Sequence, residues 1–152
     1  MAHAVKAIIN RSDDCILLQQ RDHAPGLSFP GCWTFFGGQV ETDESLEDAL
    51  KRELIEELGC IPGPVGDELF KWEWRGEHPT QNHYFPVYCE VDDNILVLNE
   101  GQAMSWFSVD ELQRIQLTPC VYENLPQITN FASRSTYPAS MNSDPLCQNK
   151  KK

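Results

Sequence analysis

The chain has 152 residues and a mass of 17.3 kDa, enough for one domain with a proper core, and its 41% apolar content is ordinary for a globular protein. A net charge of −11 argues against a broad surface for nucleic acid or for an anionic membrane, and an acidic protein that did handle phosphates would do so most simply through metal ions. The six cysteines form no Cys-x-x-Cys pair, and no stretch reads as a signal peptide or a membrane span, so reduced thiols and a cytoplasmic location are expected.

His3 to Asn10 reads as a first strand, with Val5, Ala7 and Ile9 on one face and Ile8 opposite. Polar Arg11 to Asp14 makes a turn, and Cys15 to Arg21 a second strand, so the two form a hairpin. Arg21 is either a surface ion-pair partner of Asp22, the favoured reading, or a group that reaches a substrate. A loop rich in proline and glycine leads to Cys32–Phe36, a short apolar strand that delivers the chain into a glycine turn, Gly37-Gly38. Trp33 and Phe35 share one face of that strand, as core or as a wall of a substrate cleft.

The next stretch, Gly38 to Cys60, carries the chemistry. Thr42, Asp43 and Ser45 are candidate N-caps of a helix, acidic residues crowd its first turn, and Gly59 is placed to close it. Leu46, Ala49, Leu50, Leu54 and Leu58 form the apolar stripe. Glu53, Glu56 and Glu57 fall within an arc of roughly 100°, with Glu57 pointing into the middle of that stripe and Glu53 at its edge. An acidic helix is often just a solvated face. Carboxylates turned toward the core are different: held together they repel, and each has a raised pKa unless a cation sits among them. Oxygen-only donors select hard cations, magnesium or manganese. The Gly37 carbonyl can approach such a cation because no side chain intervenes.

With Gly38, Glu44, Arg52, Glu53, Leu54, Glu56, Glu57 and Gly59 at every fixed position, the stretch resembles the Nudix box; Cys60 replaces the final aliphatic residue, and Phe35-Phe36 stands where Leu-Pro often precedes the two glycines. The resemblance implies an α+β fold, the Nudix α/β/α sandwich with a mixed central sheet. It implies Mg2+ or Mn2+ held by Glu53, Glu56 and Glu57, with Gly37 as a further ligand. Gly38, Glu44, Arg52 and Gly59 would be structural, Arg52 bracing Glu56.

Beyond the box, Ile61 to Gly66 is a loop, and Asp67 to Arg75 a strand with Phe70, Trp72 and Trp74 on one side, more simply core than a stacking platform. Asn82 to Val91 pairs with it antiparallel; Pro86 hints at an edge or a bulge, and His83 is a candidate substrate contact. Met104 to Phe107 is a short strand, and Ser108 with Glu111 forms a capping box. The resemblance extends here and makes Glu100 a metal ligand or the group that takes a proton from water, in competition with Glu53 for the second role; Glu77 and Glu90 are alternatives. Leu117 to Phe131 reads as one last helix, begun at Thr118-Pro119 and bent or shortened by Pro126. The resemblance implies a Nudix hydrolase domain over residues 1–133, with 134–152 expected as a peripheral or flexible tail.

The resemblance implies hydrolysis of a nucleoside diphosphate linked to another group. An upstream motif of coenzyme A pyrophosphatases is absent, and Arg75, Gly76 and Glu77 stand where ADP-ribose and diadenosine polyphosphate hydrolases often carry proline or tyrosine. Elimination leaves a nucleoside triphosphate, oxidised forms included, cleaved to a monophosphate and pyrophosphate. A nucleotide-sugar or ADP-ribose-type pyrophosphatase, or a non-catalytic nucleotide-binding module, are the alternatives. The expected partner is a small nucleotide, not nucleic acid or a membrane, with a homodimer left open.

Overall fold

The computed structural model describes residues 1–133; the tail expected over 134–152 lies outside the described residues. Seven strands, β1 (Ala2–Asn10), β2 (Ile16–Gln20), β3 (Trp33–Thr34), β4 (Phe36–Gln39), β5 (Phe70–Trp74), β6 (Thr80–Tyr88) and β7 (Ala103–Phe107), join in one mixed sheet. Among the described residues four α-helices accompany them, α1 (Leu46–Leu58), α2 (Val109–Leu112), α3 (Pro119–Tyr122) and α4 (Leu125–Ser133), with a 3-10 turn at Asp93–Ile95. No helix among the described residues is long and apolar enough to cross a membrane.

β1 is the axis of the sheet. One edge runs parallel to β6, from Ala2 opposite Thr80 to Asn10 opposite Tyr88. The other edge is shared, with β4 taking Ala4 to Ala7 and the hairpin partner β2 taking Ile9 and Asn10. β5 adds to β6, and β7 to β2, both antiparallel. The strand alternation of two then builds both cores. Val5, Ala7 and Ile9 pack with Ala49, Leu50, Leu54 and Leu58 of α1. Ile8 lies on the other face, with Val121 of α3 and Ile128 and Phe131 of α4. The result is the α/β/α sandwich, with Leu50, Leu54 and Leu58 of α1 each contributing roughly 1.5–3 kcal/mol by full burial.

The ends of α1 follow from local chemistry. Of the three candidate caps, Ser45 is the one used, its side chain accepting from the Asp48 N–H, and Gly59 closes the helix in the left-handed conformation at φ 81°. Ser108 and Glu111 form the capping box of α2.

Four expectations are corrected. Gly37 and Gly38 are not a turn; they sit within β4, opposite Lys6 and Val5. A Cβ on Gly37 would strike the Val5 carbonyl oxygen, and one on Gly38 would strike the Glu53 carboxylate, so the two glycines let β4 lie against both β1 and α1. The Cys32–Phe36 strand divides, because Trp33 and Thr34 pair with β2 and the chain then changes partner to β1. Pro86 does not lie on an outer strand, because β6 lies between β1 and β5, but it does sit at an irregularity: Phe70 stands opposite Tyr84 and Val65 opposite Val87, so the pairing shifts by two residues there. β5 ends before Pro86, and the Pro86 carbonyl accepts from Gly66 of the loop that replaces it, so the missing N–H costs the β1 ladder nothing. Finally, the last helix is two. Asn124 spends its side-chain amide on the Cys120 carbonyl, while its own carbonyl accepts from Ile128 and starts α4; Pro126 then falls in a first turn, where no N–H is needed.

Candidate active site

Glu57 occupies the centre of the site. Helical spacing turns it from α1 toward β4, where it is 4% exposed and its Oε1 accepts from the Gly37 N–H at 2.9 Å. Burial pushes its pKa up to about 8; the Gly37 N–H opposes the shift, the charges of Glu100 and Glu53 add to it, and Lys6 opposes it weakly. The Glu53 carboxyl is also raised, first by burial, against the pull of Arg52. One buried and one half-buried carboxyl that resist ionisation, with the charge of Glu100 beside them, make a site whose charged form calls for a cation.

Arg52 organises the neighbouring carboxylates. Its Nε and Nη2 hold both oxygens of Glu44, at 2.7 and 3.0 Å, and Nη2 also donates to the Gln39 carbonyl at 3.0 Å. The Arg52 bond, with the Glu41 N–H, draws the Glu44 pKa down to about 2. Nη1 holds Glu53 at 3.0 Å but reaches Glu56 only at 3.4 Å. The brace expected for Glu56 therefore goes chiefly to Glu44 and Glu53, and Glu56 faces solvent with its side chain 54% exposed.

Glu100 comes from a loop that sequence spacing alone does not locate. The loop is sewn to the end of α1: Val97 N–H donates to the Leu58 carbonyl, Asn99 N–H to the Glu57 carbonyl, and Asn99 Nδ2 to the Glu56 carbonyl. These bonds satisfy last-turn carbonyls that a helix leaves open. On its other side the Gln102 N–H donates to the Gln20 carbonyl. Glu100 is thereby set at the rim of a cavity of about 430 Å³ that Glu57, Gly37, Phe35, Lys6 and Arg21 also line.

A second cavity, of about 290 Å³, shares Lys6, Arg21 and Thr34 with the first and runs on over Trp72, Trp74 and Phe29. One cleft thus has a carboxylate lobe and an aromatic lobe, with two cations at their junction. Arg21 is not the partner of Asp22: its Nε donates to the Ser28 carbonyl at 2.8 Å, which holds the side chain along the cleft. Phe35 serves core and cavity together.

Trp33 and His83 lie elsewhere. Trp33 packs edge-on against Phe107, ring centres 4.8 Å apart, and lines neither lobe. His83 is buried between His3 and Glu68, at 3.0 and 2.9 Å. It is one residue out of phase: strand alternation turns its neighbour Asn82 to the aromatic lobe instead. The aromatic stripe of β5 is only partly core. Phe70 stacks on Tyr84 at 4.4 Å, whereas Trp72 and Trp74 wall the lobe. Sequence reasoning passed over Lys6, although a lone cation in an apolar strand was a visible signal, and it passed over Asn82, Thr118 and Cys120, which carry no local signal.

Oxygen donors at Glu53, Glu57, Glu100 and the Gly37 carbonyl suit a hard divalent cation in chemistry. Among the described residues, no group of three or more His, Cys, Asp or Glu side chains is gathered closely enough to hold an ion; Glu53 is turned to Arg52 and Glu57 to Gly37.

Comparison with known proteins identifies this architecture. The NUDIX domain model matches residues 2–128. The chain belongs to the Nudix family. It is 36% identical over 140 residues to the CTP pyrophosphohydrolase of Escherichia coli, covering 91% of this chain and 98% of that protein. It is 30% identical over 114 residues to the nucleoside triphosphatase NudI of Salmonella paratyphi B, covering 67% and 79%. The crystal structure of a MutT Nudix hydrolase from Burkholderia pseudomallei superposes with a TM-score of 0.71 at 27% identity, covering 84% of this chain and 98% of that one. With every fixed position of the box present, the chain is a Nudix pyrophosphohydrolase, of a family whose enzymes generally need a divalent metal.

Proposed function

We propose that this Nudix enzyme hydrolyses a nucleoside triphosphate, oxidised forms included, to the monophosphate and pyrophosphate, with Mg2+ or Mn2+. The observation that carries the reading is the two-lobed cleft: a carboxylate lobe joined through Lys6 and Arg21 to an aromatic lobe suits a molecule that is polyphosphate at one end and planar at the other. The names of the two relatives above support a triphosphate substrate.

Glu53, Glu56, Glu57 and Glu100, with the Gly37 carbonyl, would hold the cation. A divalent cation bound there would neutralise phosphate charge and lower the pKa of a water. Lys6 and Arg21 bind and orient the phosphates between the lobes. Glu100 is the proposed proton acceptor: it stands at the mouth of the lobe, whereas Glu53 is engaged by the Arg52 guanidinium. Glu44 and Arg52 keep the Glu53 carboxylate in place.

The test is pyrophosphate release from a panel of nucleoside triphosphates, oxidised nucleotides, ADP-ribose and nucleotide sugars, with magnesium, with manganese and with chelator. Metal-dependent release of pyrophosphate from triphosphates is the expected result. Turnover confined to ADP-ribose or a nucleotide sugar, or silence across the panel, would overturn the reading.

A further inference from the structure

The aromatic lobe has a polar floor with one atom left over. Across the sheet, Ala4 of β1, Asn82 of β6 and Trp72 of β5 stand in register, and all three line the lobe. Ala4 is small and leaves a hollow beside the tryptophans. Asn82 is 5% exposed, and its Nδ2 donates to two backbone carbonyls, those of Trp72 and Thr80, each at 3.3 Å. A carbonyl can only accept, so these two contacts fix which way the amide is turned. Both amide hydrogens are spent on the strands, and Oδ1, an acceptor, is what the side chain keeps for the lobe. Elsewhere in the lobe, the Thr34 and Thr118 hydroxyls are tied to each other at 2.9 Å and to the Cys120 thiol at 3.4 and 3.3 Å, so their hydrogens have partners within the protein.

A flat ring entering from the phosphate junction meets Trp72 and Trp74, whose ring centres lie 6.2 Å apart, with Phe29 edge-on to Trp74 at 6.0 Å. Indole faces take any base by stacking. They do not choose among bases. A fixed acceptor does, because it rewards an amine and leaves a carbonyl facing its own lone pairs, and a buried polar group left unpaired is costly.

We propose that Asn82 selects the base: the aromatic lobe takes a nucleobase that presents an exocyclic amine, which donates to Asn82 Oδ1, in preference to one with a carbonyl at that position. Trp72 and Trp74 supply affinity, and Asn82 supplies discrimination. The proposal rests on the nucleoside triphosphate reading above and adds the chemical class of base.

The matched pairs CTP and UTP, and ATP and ITP, differ at that edge alone. The wild-type enzyme is expected to favour the amine member of at least one pair by about ten-fold or more in kcat/KM. Asn82→Ala should bring that ratio to within about three-fold, chiefly through loss on the amine substrate. Ala4→Leu, which fills the hollow, should raise KM for every triphosphate. Because Asn82 is buried, melting temperature is followed alongside, and Trp72→Ala, on the more exposed strand, provides a second variant that should raise KM without changing the amine preference. Binding of CMP and UMP, read by tryptophan fluorescence in chelator, judges the lobe separately from turnover. A wild-type enzyme that hydrolyses triphosphates with no amine preference, or a preference that survives in folded Asn82→Ala, overturns this proposal. No triphosphate turnover overturns the functional reading instead, and equal binding of CMP and UMP would then overturn this one too.

Discussion

The two lobes of the cleft are built in opposite ways. Most of the candidate cation-binding groups of the carboxylate lobe come from one contiguous stretch, β4 and α1, with Glu100 added from the loop before β7, and within that stretch they are held by near neighbours: Arg52 grips Glu44 and Glu53, and Gly37 grips Glu57. The aromatic lobe is collected from β1, β3, β4, β5, β6, the start of α3 and the loop bearing Phe29. Chemistry common to every substrate can be written into one segment. Selection among substrates, placed on separate elements, can change without disturbing it.

The largest test of that division is Glu57→Gln. It removes a charge from the carboxylate lobe without changing shape, and kcat should fall on the order of 10²–10³-fold or more. The loss should be the same for every base. A loss that varied with the base would join the two lobes into one functional unit and break the comparison.

The same residue gives a stability test with a definite sign. A carboxyl held at about 8 in the folded protein titrates near its ordinary value in the unfolded chain. Between those values the folded state binds more protons, so stability falls as pH rises from about 4.5 to 8, by a few kcal/mol at most. In chelator, the wild-type melting temperature should therefore drop across this range, and Glu57→Gln should drop less. Saturating magnesium should flatten the wild-type curve. Parallel curves for the two proteins would mean that Glu57 is not the strained group.

Legibility in the sequence follows the same line. Hydrophobic period placed β1, β2, β5, β6 and α1, and capping chemistry placed Gly59 and Ser108 and narrowed the start of α1 to three residues that include Ser45, because each depends on neighbours a few residues away. What failed was whatever depends on the partner across the sheet. The swap of partner that splits β3 from β4, the use of Gly37 as a strand residue and the tolerance of Pro86 are all decided by which strand lies alongside. Alternation sends His83 and Asn82 to opposite faces of β6 but does not say which of them meets the cleft. Glu100 was reachable only through the resemblance, because Asn99 and Val97 tie its loop to α1 by backbone and amide bonds that leave no pattern.

Glu100→Gln is the next smaller effect, about 10²-fold in kcat if this carboxylate takes the proton, with KM little altered. An unaltered kcat would move the proton acceptor to Glu53.

The smallest and most discriminating change is Arg52→Lys. Lysine keeps the charge but cannot hold both Glu44 oxygens while also reaching Glu53, because that needs the planar fork of donors. If Arg52 acts by positioning Glu53, kcat should fall about ten-fold and the magnesium concentration for half-maximal rate should rise. KM for the nucleotide should stay near wild type, since Arg52 touches neither aromatic wall nor phosphate junction. Arg52 is also part of the fold, tying the Gln39 carbonyl to α1, so a purely structural role predicts something else: a lower melting temperature with no change in magnesium dependence. The two outcomes separate a residue that shapes the carboxylate lobe from one that merely fastens it to the sheet.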